Sequence, residues 1–204
     1  MQANTKLIED ILLACLDKRP IDFGRVDEAE VGRAKRAIQK SNGPKLRSFR
    51  DPMNRNHFLC GCLDATEDKP EEHLIVGYGN SVGRTTAIGR VHHIVGAQRS
   101  VGIPDYVHRE IIRHHAHRST AEVVIFHNHP RTGLEPAWFY VVKALIRDLP
   151  IPSRADRMQL QNYAFSVLGI ARQLTGQGGI RFYLGESGYV REFSLPLIST
   201  LIAR

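Results

Sequence analysis

The chain has 204 residues, 42% of them hydrophobic and 24% charged, with a formal net charge of +7. That composition belongs to a globular domain with a small appendage and excludes a disordered or collagen-like chain. No apolar run approaches the roughly 18 residues of a membrane span. The start, Met1-Gln2-Ala3-Asn4-Thr5-Lys6, lacks the basic and apolar regions of a secretory signal. The three cysteines, Cys15, Cys60 and Cys62, are too few for a disulfide framework. Together these features lead us to expect a cytoplasmic protein with no membrane span. The positive charge allows contact with nucleic acid or an acidic protein, but no aromatic residues interleave the basic patches as a stacking platform requires.

Leu7, Ile8, Ile11, Leu12, Cys15 and Leu16 predict a helix over 5–17. A second helix is expected from Asp27 to Ser41, stopped by Asn42-Gly43-Pro44. Residues 44–55 are basic and aperiodic and read as a linker. Residues 1–50 are thus expected to form an N-terminal helical extension and linker, and 51–204 the main domain.

His57–Asp64 is apolar at alternate and intervening positions, which predicts a buried strand. A polar turn over Ala65–Pro70 and a strand near His73–Tyr78 come next. Gly77 to Gly89 reads as a loop, Arg90–Val95 as a strand, and Tyr106–His117 as a helix. Pro136–Leu149 is amphipathic around Trp138. Ser153 is placed to cap a helix running to about Leu174. Ile180–Leu184 and Tyr189–Phe193 flank Gly185-Glu186-Ser187-Gly188 as a hairpin.

Val123-Val124-Ile125-Phe126 is a β-branched and aromatic run ending in His127-Asn128-His129-Pro130. Residues two apart on a strand share a face, so both imidazoles can meet one metal ion where the strand leaves the core. The remaining histidine pairs, His92-His93 and His114-His115, diverge and read as packing or surface residues. A third ligand is sought in Pro150-Ile151-Pro152-Ser153-Arg154-Ala155-Asp156. There Asp156 falls in the first helical turn, although Ser-x-x-Asp is equally an ordinary capping signature. Cys60-x-Cys62 reads as a pair of core thiols, since no further ligands stand at zinc-site spacing.

His127-Asn128-His129-Pro130 followed by Ser153-Arg154-Ala155-Asp156 resembles the JAMM (JAB/MPN) metalloprotease motif in its RadC-like form. Val107-His108-Arg109-Glu110-Ile111-Ile112, Phe182 to Val190 and His57 to Asp64 resemble further segments of that family, so the likeness spans residues 55–195. The resemblance implies an α/β (α+β) fold: a JAMM/cytidine-deaminase-like mixed curved sheet flanked by helices, with the N-terminal helical extension added. It implies Zn2+ held by His127, His129 and Asp156, and Ser153 bonding the oxyanion as amide hydrolysis proceeds. It also implies a protein or peptide substrate, with a ubiquitin-like tail consistent with the family.

Two departures stand out. Between His129 and Asp156 lie 26 residues, many more than the family's spacing, and the excess is the amphipathic segment near 134–149. Aligning on Asp64 also puts Asn56 where the family carries its glutamate, and an amide is no general base. Glu110 is then the first substitute, with Asp51 and Glu122 behind it. The expected function is a zinc-dependent JAMM-type metallohydrolase with a degenerate or relocated base. The alternative is a non-catalytic RadC-like interaction or DNA-associated module that keeps the metal-binding fold.

Overall fold

In the computed structural model, which describes residues 21–82, 85–97, 101–117, 121–130, 179–186 and 188–193, helix α1 (Glu28–Gln39) begins at Asp27. The Asp27 carboxylate accepts hydrogen bonds from Ala29 N and Glu30 N, satisfying donors that a helix start leaves free. Val31, Ala34 and Ile38 form its buried stripe, as the spacing predicts.

The expected linker is instead strand β1 (Gly43–Asn54), and it runs across Arg50. Its pattern was hidden for a physical reason. Register shifts between Gly43 and Arg47 and between Ser48 and Met53 interrupt the strand, and its few inward residues are split between the faces, Leu46 on one and Phe49 and Met53 on the other, so no alternation shows. Pro44 and Pro52 are tolerated because β1 lies at the sheet edge and pairs only with β3.

The expected strand over His57–Asp64 is helix α2 (Arg55–Thr66), capped by the Asn54 side chain, which accepts from Asn56 N. Phe58, Leu59, Gly61, Cys62 and Ala65 are buried, because the helix lies between α1 and the sheet. A short run that is apolar all round cannot be assigned by periodicity alone. Gly61 sets the approach of the two helices: a Cβ there would stand 2.4 Å from Ala34 Cβ. Cys60 and Cys62 are free thiols on this helix. Burial pushes Cys60 up to about 11 and Cys62 well above its ordinary value, consistent with packing rather than reactivity.

Strands β2 (His73–Val82) and β3 (Thr85–Val95) are antiparallel partners extending through the glycine-rich stretch expected to be a loop. Two of its glycines, Gly77 and Gly79, answer to crowding. A Cβ at Gly77 would meet the Phe58 ring at 2.7 Å, and one at Gly79 would meet Ala87 O at 2.5 Å. Helix α3 (Asp105–His117) and strands β4 (Ala121–Asn128), β5 (Gly179–Glu186) and β6 (Tyr189–Phe193) follow the expected order.

The six strands run β1-β3-β2-β4-β5-β6, with β4 and β5 parallel and the other neighbours antiparallel. One face, including Val124, Phe126, Tyr183 and Val190, packs against Ala34 and Ile38 of α1 and Phe58 and Leu59 of α2. The other, including Val76, Val123, Ile125 and Leu184, packs against Val107 and Ile111 of α3. The fold is therefore mixed α/β, with an N-terminal helix pair on the sheet. The helices expected over 5–17, 134–149 and 153–174 lie outside the described residues. Among the described residues, no helix is long and apolar enough to cross a membrane.

Candidate metal centre

Strand β4 is buried along Ala121–Phe126, and its alternation places Val123, Ile125 and His127 on the α3 side of the sheet. His127 is flanked in register by Leu74 of β2 and Leu184 of β5. Beyond Asn128 the ladder continues by one bond, from His129 N to Gly185 O at 3.0 Å. His129 thereby keeps the strand's period, and the two rings meet with centroids 5.0 Å apart and planes at 89°.

The third member of the cluster is Glu72, which immediately precedes β2. Its backbone is clamped by two bonds, Glu72 N to Ala97 O at 2.9 Å and Gly96 N to Glu72 O at 2.8 Å. Its Oε2 lies 3.2 Å from His127 Nε2, with both side chains largely shielded from solvent. Asn128 fixes this meeting: its Oδ1 accepts from His73 N, and its Nδ2 donates to Glu71 O at 3.4 Å. The asparagine between the histidines thus fastens the strand carrying the imidazoles to the segment carrying the carboxylate.

Ligand atoms of Glu72, His127 and His129 all lie within 4.8 Å of one another, so this group can hold a metal ion. Two imidazoles and one carboxylate are the donor chemistry of catalytic zinc sites. Glu186 stands behind His129, with Oε2 4.0 Å from Nδ1, an ion-pair separation beyond hydrogen-bond reach. A cavity of about 490 Å³ opens beside the group, lined by residues including Thr66, Lys69, Asn128, His129, Gly185 and Glu186.

Of the residues singled out from sequence, the structure brings His127 and His129 together. Ser153 and Asp156 lie outside the described residues. Glu110 is held elsewhere, bonded to Arg90 at 3.1 Å and Arg113 at 2.8 Å. Arg90 faces Tyr78 in register, and Tyr78 lies four residues, roughly 13 Å, along β2 from the Leu74 that faces His127. Asn56 sits in the first turn of α2, whereas Thr66 at the other end lines the cavity beside His129. Ten residues at about 1.5 Å each put Asn56 roughly 15 Å down that helix. The alignment through Asn56 required a strand at 57–64, and that segment is a helix.

Asp51 is exposed beside Arg33, and Glu122 is buried at the far end of β4. Sequence reasoning does not single out Glu72, because it stands with Glu71 in the polar stretch between the turn at Ala65–Pro70 and the strand near His73. Its place directly before the strand near His73 is visible in the sequence, but the pairing of that strand with the histidine strand is not. Comparison of the chain with protein-family models, curated proteins and solved structures finds no match.

Proposed function

We propose that the chain is a zinc-dependent hydrolase of the JAMM type, cleaving amide or isopeptide bonds, with Glu72 as its general base. The observation carrying this reading is the 3.2 Å approach of Glu72 to His127, in a group whose third member, His129, lines a cavity. His127 and His129 would hold the zinc together with Asp156, which the resemblance supplies. Zinc bound there provides Lewis acidity towards a substrate carbonyl and towards water. Glu72 takes a proton from the attacking water and delivers it to the departing amine as the C–N bond breaks. Ser153 would donate to the developing oxyanion. Lys69, Asn128 and the β5–β6 turn form the walls along which a protein or peptide tail, such as that of a ubiquitin-like protein, is laid.

Glu72 would then be the relocated base that the amide of Asn56 cannot be. The test is hydrolysis of isopeptide-linked and linear peptide substrates by zinc-loaded protein. Turnover abolished by a chelator and restored by zinc supports the reading; no turnover on either substrate class sinks it.

A second reading, a nucleic-acid-associated module, draws on the exposed basic residues Arg36 and Lys40 of α1 and Lys45, Arg47 and Arg50 of β1. Binding to arbitrary DNA that weakens steeply with salt would favour it.

A further inference from the structure

We propose that Arg191 is a carboxylate-binding residue of the substrate site, selecting amides that carry a free carboxylate close to the scissile bond. The inference rests on the hydrolase reading above and adds the substrate's chemical class.

Arg191 of β6 pairs with Leu184 of β5, and Leu184 pairs with His127 of β4. Residues paired across a sheet project from the same face, so Arg191 and His127 lie in one row with a single leucine between them. Two strand spacings of about 4.8 Å put their Cα atoms roughly 10 Å apart. Val190, its neighbour, points the other way into the helix-pair core.

The Arg191 side chain is fully buried, yet among the described residues its Nε, Nη1 and Nη2 have no hydrogen-bond partner. A buried guanidinium without an anion is strongly disfavoured, which is why such groups are paired or used. Carboxylates on neighbouring positions are directed elsewhere. Glu192 bonds Arg181 at 2.9 Å, and Glu186, diagonally across from Arg191, lies 4.0 Å from His129. The guanidinium fork matches the two oxygens of a carboxylate, and its place in the row puts such a carboxylate a few bonds from a carbonyl at the metal centre.

The test is calorimetric titration of the full-length, zinc-loaded protein with N-acetylglycine and with N-acetylglycinamide. The wild type should bind the acid at least about tenfold more tightly than Arg191→Met does, while the amide should not distinguish the two. Equal affinity of both proteins for the acid overturns the proposal, because the acid then binds without Arg191. Should Arg191→Met fail to fold by circular dichroism, Arg191→Lys keeps the charge without the fork and should still weaken the acid measurably; unchanged affinity there also overturns it. Binding that depends on Arg191 with no turnover of N-acetyl dipeptides leaves carboxylate recognition standing and removes the hydrolase reading instead.

Discussion

Glu72 and His127 stand 55 positions apart in the chain and 3.2 Å apart in space, Oε2 to Nε2. The contact arises because β2 and β4 are antiparallel neighbours whose register ends at Leu74 opposite His127. It places a carboxylate beside two histidines that could hold a metal ion, where it can serve as ligand or base.

Glu72→Gln separates those two roles. With Glu72 as base, the variant keeps its zinc and loses about 10²–10⁴-fold in turnover. Zinc content measured alongside peptidase rate decides the matter. Loss of the metal would make Glu72 a ligand rather than a base.

Asn128→Ala removes the side chain that ties His73 N and Glu71 O to the histidine strand. The buried His73 N–H is left without its acceptor, which costs about 1–3 kcal/mol. Urea denaturation should show that loss, accompanied by weaker zinc retention. Unchanged stability and zinc affinity would remove Asn128 from the account.

Glu122 is a buried carboxylate that accepts from Ser81 Oγ at 2.5 Å, Thr86 Oγ1 at 2.6 Å and Arg55 at 3.1 Å. Burial pushes its acidity towards the neutral form, but the two hydroxyls and the Arg55 and Arg181 charges outweigh it and hold the group below its ordinary range. Glu122→Ala takes the acceptor from Arg55 and both hydroxyls and should destabilise by about 1–3 kcal/mol. Because its folded value is depressed, this contribution is present above about pH 4.5 and fades only on further acidification. Chemical denaturation of the variant at pH 7 measures it.

His73 and His93 supply a pH dependence in a higher window. The Ile38 carbonyl accepts from His93 Nδ1, so His93 Nε2 accepts from His73 Nδ1 at 2.8 Å, a chain in which both rings are neutral. Burial, then the neighbouring His93, lowers His73 to about 4, and burial lowers His93. Unfolded imidazoles titrate near about 6.5, so the unfolded chain binds more protons below that pH. Stability should be full above about pH 6.5 and fall towards pH 4, by up to about 1.4 kcal/mol per unit for each such histidine. Denaturation midpoints at pH 7, 6 and 5 check it; a flat profile contradicts the neutral chain.

The sequence showed the centre of this fold better than its start. The histidine strand, α3 and the closing hairpin were legible because each has one clean period or a strong turn. Residues 43–66 were misread for two separate reasons. In β1 the few inward residues are divided between the two faces, and in α2 burial against both α1 and the sheet erased any polar face. The strand-like look of that helix is what draws the resemblance onto Asn56 and away from Glu72. His127 and His129 were found because strand parity alone brings them together. Glu72 depends on a pairing between strands some fifty residues apart, which no local pattern contains.

Zinc content per chain is the most direct test of the metal centre. Elemental analysis of protein purified, zinc-loaded and dialysed should find close to one zinc per wild-type chain and almost none in folded His127→Ala. Wild-type protein that retains no zinc, or a His127→Ala variant that retains as much as the wild type, would contradict the account.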